Sequence, residues 1–231
     1  VRGANVVGMG SSIVFGASGG MGAAFCAALG PACLGLSRAS TPAFDLTDEP
    51  SIAAAAAFVA QNMPAPTMMI DATGFLHGQG FMPEKSLAAL TSAHMELSFR
   101  LNAIGPALLA KHFLPLLPRG ERAVFVTLSA KVGSIGDNAA GGWYSYRAAK
   151  AALNQLIHTA AIELRIKRPQ AICVAMHPGT VETGLSAPFA RSGLKVRPPS
   201  AAVADMLSVI SRLEPADSGG FFSYDGAVLP W

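Results

Sequence analysis

Charged side chains are scarce in this chain, at 13% of its 231 residues, and the formal net charge is only +3. Lysine and arginine are scattered and form no run interleaved with aromatics, which argues against a nucleic-acid partner. Long apolar runs are missing too. Pro, Lys, His or Asp interrupts each one before the roughly 18 residues of a membrane span, so a soluble protein is expected. Cysteine is limited to Cys26, Cys33 and Cys173, an odd, widely spaced set in apolar surroundings. Such a set reads as buried thiols in a reducing cytoplasm, not as a disulfide framework or a metal site. His77, His94, His112, His158 and His177 stand at no ligand spacing from another His, Cys or carboxylate, and no metal is expected. Residues 1–10 lack the long apolar region of a signal peptide and read as a leader or an expression remnant.

Apolar residues, by contrast, make up 51% of the chain, with 24 glycines. With so little charge to cover it, part of the surface is expected to be buried between subunits of a homodimer or homotetramer. Apolar runs alternate with helical patterns. Extended segments are predicted over 12–17, 32–37, 43–46, 67–71, 122–129, 171–176 and 220–224. Helices are predicted over 20–29, 48–61, 91–116, 143–166 and 201–213, with Thr47 as N-cap of the second and a bend near Gly105-Pro106 in the third. This alternation predicts one α/β domain over 11–231: a Rossmann-type doubly wound, mostly parallel seven-stranded sheet with helices on both faces. Ligands of such sheets bind beyond the carboxyl ends of the strands. Gly16, Asp71, Ser129 and His177 all fall at or just past predicted strand ends and can converge on one cleft.

Two motifs carry chemistry. Gly16, Gly20 and Gly22, with Ser18, Gly19 and Met21 between them, form a turn that opens a helix directly after the first strand. Backbone can approach a pyrophosphate closely there, and amide hydrogens and the helix dipole favour its charge. The Lys-Ser/Thr of a nucleotide-hydrolase loop is missing, so a dinucleotide is expected. At the end of the second strand, Ser37 and Arg38 stand where a carboxylate would grip ribose hydroxyls. A guanidinium and a hydroxyl accept a 2'-phosphate, which favours NADP(H) over NAD(H). Asp45, followed by Leu46, is the alternative contact, at the adenine edge.

Tyr146 and Lys150 form the second motif, one helical turn apart on one face. A fixed cation beside a phenol whose ordinary pKa is about 10 favours the phenolate, which makes proton transfer to or from a carbonyl oxygen feasible.

With Gly16, Gly20, Gly22, Asn102, Tyr146 and Lys150 in this order and at these intervals, the chain resembles the short-chain dehydrogenases/reductases over nearly its whole length. Val132-Gly133-Ser134-Ile135, the stretch 141–150 and the last residues are similar to the C-factor and sniffer-like carbonyl reductase branch. The resemblance implies hydride transfer between NADP(H) and a carbonyl or alcohol substrate. Tyr146 would act as general acid/base, and Lys150 would lower its pKa and bind the nicotinamide ribose. Asn102 would hold a relay water, and Pro178, Gly179, Val181 and Thr183 would lie over the nicotinamide carboxamide. Two departures stand out. Ser129-Ala130 replaces the family's paired serines, so either Ser129 reaches in or Ser134 substitutes from the loop. Asp71-Ala72-Thr73-Gly74 replaces Asn-Asn-Ala-Gly; Gly74 still allows close approach to the cofactor, and Thr73 takes up part of the lost hydrogen bonding. Trp143 and Tyr144 are candidates for the substrate pocket, and 189–199 for a lid. A cofactor-binding sensor or signalling protein with little turnover is the competing expectation, because the second serine is missing.

Overall fold

Among the described residues six short strands, all parallel, form one sheet in the spatial order β2 (Cys33–Leu36), β1 (Ser12–Phe15), β3 (Met68–Asp71), β4 (Ala123–Leu128), β5 (Ala171–His177) and β6 (Phe221–Ser223). The structure is a computed structural model that describes residues 11–189 and 196–231. The expected leader over 1–10 and the middle of the expected lid lie outside the described residues. In chain order the elements are β1 (Ser12–Phe15), α1 (Gly20–Leu29), β2 (Cys33–Leu36), α2 (Glu49–Asn62), β3 (Met68–Asp71) and α3 (Ser92–Phe99). They continue with α4 (Gly105–Phe113), β4 (Ala123–Leu128), α5 (Tyr144–Lys167), β5 (Ala171–His177), α6 (Pro199–Arg212) and β6 (Phe221–Ser223). No helix among the described residues is long and apolar enough to cross a membrane.

The strands read as unbroken apolar runs because both faces are covered. Side chains alternate between the two layers. Ile13, Phe15, Met69, Phe125 and Cys173 pack with Ile52, Leu109, Phe113 and Ile157 on one face. Val14, Ile70, Val126 and Val174 pack with Phe25, Val203, Met206 and Ile210 on the other. The Phe15 and Phe113 rings meet edge to face at 4.6 Å, a geometry that adds to area burial.

The seventh strand expected over 43–46 is not formed. Phe44 N–H donates to Ser37 at the end of β2, but the next donor, Asp45 N–H, goes to Ser51 Oγ at 3.0 Å. Pro42 has no N–H to offer a ladder. The Phe44 ring instead turns inward against Phe15. Nor does Thr47 cap α2: the N-cap is Asp48, and the Thr47 hydroxyl donates to Asp45 Oδ1 at 2.8 Å. The long helix expected over 91–116 is interrupted rather than simply bent. A π-helical turn over Arg100–Ile104 joins α3 to α4 immediately before Gly105-Pro106, where Pro106 cannot donate to the Asn102 carbonyl one turn back.

The chain leaves β1 toward β2 and then crosses to β3 on the opposite side. This reversal opens a crevice above β1 and β3. Gly16, at φ +76, turns the chain there. A Cβ on Gly22 would lie 2.1 Å from the Gly16 carbonyl oxygen, so α1 and the turn touch backbone to backbone. Gly22→Ala is therefore expected to cost about 2 kcal/mol or more, lowering Tm by about 4–8 °C, as read by thermal unfolding.

Candidate active site

A cleft of about 500 Å³ lies over the carboxyl ends of β1, β2 and β3. Ten of the expected cofactor residues line it: Gly16, Ser18, Gly19, Ser37, Arg38, Asp45, Leu46, Ala72, Thr73 and Gly74. Gly20 lies at the cleft's edge, where a Cβ would come within 2.9 Å of Thr183 Cγ2, so the segment after β5 meets the start of α1 there. Gly22 serves the contact with Gly16, and Met21 packs on the apolar layer between sheet and helix. Pro178, Gly179 and Val181 are not in the cleft wall. Gly179 lies against the Tyr224 ring, and Val181 is bridged to Arg197.

The cleft also contains Phe44, Thr47, Phe75, Gln79, Leu97, Arg100 and Leu101, none of which the sequence singled out as a cofactor contact. Arg100 has the clearest consequence. Its guanidinium donates to the Thr47 carbonyl at 3.0 Å. Thr47 N–H and hydroxyl hold the Asp45 carboxyl below its ordinary range, with the charges of Arg38 and Arg100 adding to the effect. Two guanidinium groups thus face one end of the cleft. Arg100 reaches it from a π turn, a position that helical periodicity does not mark.

The phenol and the ammonium come together one strand further along. Tyr146 is 8% exposed and Lys150 2%. Lys150 Nζ donates to the Leu128 carbonyl at the end of β4 at 2.7 Å and lies 6.0 Å from the Tyr146 ring centroid. Gly133 makes room, since a Cβ there would sit 2.8 Å from Lys150 Cβ. β4 pairs with β3, whose following residues line the cleft. The expected electrostatics are reversed in the chain by itself: burial pushes the Tyr146 phenol up, above its ordinary range. Burial likewise lowers Lys150 to about 8, opposed by the charge of Asp71. Desolvation is the dominant influence on both groups.

Asp71, 1% exposed, accepts from the Thr73 N–H at 3.0 Å, from the Thr73 hydroxyl and from the Thr127 hydroxyl at 2.7 Å. The Thr127 bond ties β3 to β4, whereas Thr73 bonds only Asp71 on its own segment, so the bracing between the strands comes from Asp71 and Thr127. Asn102, fully buried, accepts from Phe75 N–H at 2.9 Å and donates to the Phe75 carbonyl at 2.8 Å, clamping the loop after β3. Neither candidate serine bonds Tyr146. Ser129 donates to Asn154 Oδ1 at 2.6 Å, and Ser134 lies between the Trp231 carbonyl and Asp137 N–H. His177 closes β5, and burial lowers it to about 4. Trp143, the N-cap of α5, places its ring edge-on to Tyr146 at 6.3 Å, while Tyr144 is 36% exposed. Among the described residues no three His, Cys, Asp or Glu side chains gather as metal ligands.

The Lys150 shift predicts a pH signature. The unfolded chain binds the Lys150 proton up to its ordinary 10.5 and the folded chain only to about 8, so this group makes the fold more stable as pH rises through that window. Lys150→Met lacks the effect. The stability of wild type relative to Lys150→Met is expected to increase by up to about 3 kcal/mol between pH 7 and pH 10, measured by urea unfolding; a flat difference contradicts it.

Comparison with known proteins agrees with this geometry. Residues 32–192 match the short chain dehydrogenase family model. The chain is 35% identical over 147 residues to the C-signal of Myxococcus xanthus, covering 63% of this chain and 84% of that protein. It is 32% identical over 190 residues to a 1-hydroxy-2-glutathionyl-2-methyl-3-butene dehydrogenase of Rhodococcus, covering 82% of this chain and 79% of that one. Among solved structures, NADPH-bound carbonyl reductase from chicken fatty liver superposes with a TM-score of 0.82 at 27% identity, covering 96% and 99% of the two chains. Carbonyl reductase Sniffer of D. melanogaster has the same fold, with a TM-score of 0.81 at 24% identity over 97% and 100%. The chain belongs to the short-chain dehydrogenase/reductase family of oxidoreductases.

Proposed function

We propose that residues 11–231 form one NADP(H)-dependent carbonyl reductase domain in which Tyr146 passes a proton to or from the substrate oxygen. The observation that carries this is the burial of Lys150 at the end of β4, under Tyr146 and one strand from the cleft at Ala72–Gly74. When bound, the nicotinamide supplies the hydride donor or acceptor.

The cleft fits a dinucleotide on its own geometry. The left-handed turn at Gly16 and the absence of a side chain at Gly22 let backbone amides and the start of α1 face a pyrophosphate. Arg38 and Ser37 would take a 2'-phosphate at the far end, with Arg100 adding positive charge and Asp45 held back by Thr47. Lys150 would hold the nicotinamide ribose and supply the cation beside the phenol. Asn102 fixes the Phe75 wall of the cleft, and Pro178, Gly179, Val181 and Thr183 would close over the carboxamide. Of the two hydroxyls, Ser129 is the better partner for substrate. It donates to a side-chain oxygen, Asn154 Oδ1, whereas Ser134 is held by two backbone groups.

The free thiols Cys26, Cys33 and Cys173 suit a reducing cytoplasm. Exposed Ile104, Leu156, Ile162 and Ile166, together with a groove of about 390 Å³ between α4 and α5, suit a homodimer or homotetramer. Light scattering is expected to give a mass of two or four chains.

A second reading rests on Ser129 and Ser134 both bonding elsewhere than Tyr146 and on the likeness to C-signal: a cofactor-binding sensor with little turnover. NADPH oxidation across a panel of aldehydes and ketones separates the two. Wild type is expected to turn over, and Tyr146→Phe to bind NADPH normally yet lose about a thousandfold or more in kcat. NADPH binding without turnover favours the sensor. Arg38→Ala is expected to raise KM for NADPH about tenfold and leave NADH nearly unaffected.

A further inference from the structure

We propose that Glu84 is a positioning residue for Tyr146, acting as the amino-terminal cap of α5 from a distant loop. The proposal rests on the assignment of Tyr146 as proton donor. α5 starts under unusual backbone conditions. Gly141, Gly142 and Trp143 take positive φ in succession, at +63, +64 and +54, and Trp143 makes no side-chain cap. A tryptophan in the left-handed region persists only where its surroundings hold it there.

Glu84 provides that hold. Its carbonyl accepts from Trp143 N–H at 2.5 Å, its Oε2 accepts from Ser145 N–H at 3.2 Å, and its Oε1 accepts from the Ser145 hydroxyl. One residue thus satisfies two backbone donors and one hydroxyl of the turn in which the helix begins, and it places negative charge at the positive end of the helix.

The carboxylate itself is 1% exposed, and a buried charge persists only when fully bonded. His94 Nδ1 lies 3.0 Å from Oε1, and the imidazole is stacked on Phe81 at 4.9 Å. Burial alone would push the Glu84 carboxyl up, but the bonds from Ser145 and the charge of His94 outweigh it and leave it below its ordinary range.

Ser145 is the residue before Tyr146, and the Trp143 ring touches the Tyr146 ring edge-on. Where Glu84 fixes Trp143 and Ser145, it fixes the phenol. Glu84 lies in the same loop as Ala72–Phe75, which line the cofactor cleft and are clamped by Asn102. That loop therefore sets the phenol against the cleft, while Arg147 ties the other side of the turn to the Gly141 and Gly142 carbonyls.

The test uses the whole chain, with Glu84→Ala, Glu84→Gln and Tyr146→Phe compared for carbonyl reduction and for NADPH affinity by fluorescence. Glu84→Ala is expected to lose about tenfold or more in kcat while KM for the carbonyl and Kd for NADPH stay within about twofold. Glu84→Gln keeps an acceptor for Ser145 N–H and is expected to recover most of that loss, retaining about a third of wild-type kcat. If Glu84→Ala does not fold, Glu84→Gln carries the test by the same split between kcat and NADPH affinity. Wild-type kcat in folded Glu84→Ala overturns the proposal, as does wild-type kcat in Glu84→Gln where Glu84→Ala does not fold. So does a loss in which kcat and NADPH affinity fall together, since that marks a merely structural role. If Tyr146→Phe is inactive while Glu84→Ala is fully active, only the Glu84 proposal fails. Wild-type turnover in Tyr146→Phe removes the assignment of Tyr146 and this proposal with it.

Discussion

The hydrogen bond from the Lys150 ammonium to the Leu128 carbonyl holds the centre of the molecule together. It anchors the first half of α5 to the end of β4 and puts a cation 2% exposed among the carboxyl ends of the strands. Three features of the surroundings allow it. Gly133 leaves the space for the Lys150 stem, Asp71 opposes the desolvation, and Thr73 and Thr127 keep the Asp71 charge fully bonded. Without the first the helix could not approach; without the others the ammonium would be a buried charge with one dipole to face.

Around that bond the loops divide the labour. The turn Gly16–Gly20 and the end of β2 offer backbone and guanidinium to one end of the cleft. The loop after β3, clamped by Asn102, forms its wall and runs on to Glu84 under the start of α5. The family's asparagine position thus has a visible structural task here: both ends of its amide are used on Phe75. The departure at Asp71 is likewise more than a lost amide, because a carboxylate there stands electrostatically opposite Lys150.

Much of this was legible in the sequence. Continuous apolar runs gave away a parallel sheet covered on both faces, and the glycine turn and the Tyr146–Lys150 spacing singled out the residues around which the site is proposed. The rest was hidden for physical reasons. The stretch 43–46 alternates like a strand, but its donors are taken by Ser37 and Ser51 and its aromatic ring by the core. Arg100 lies within an ordinary helical pattern, and only the π turn aims it at the cleft. Glu84, His94 and Ser145 are separated by up to 61 residues, and no local pattern announces a carboxylate buried among them.

Burial raises the Tyr146 phenol in the chain alone, so the phenolate that the proposed role needs as proton acceptor in the alcohol-oxidising direction requires further positive charge in the site. An oxidised nicotinamide would supply that charge in the same direction. The most direct test is therefore a near-ultraviolet titration of tyrosinate, with and without NADP⁺, with Tyr146 isolated by difference against Tyr146→Phe. The account predicts that the Tyr146 phenol titrates about one pH unit or more lower with the cofactor bound. An unchanged titration contradicts it.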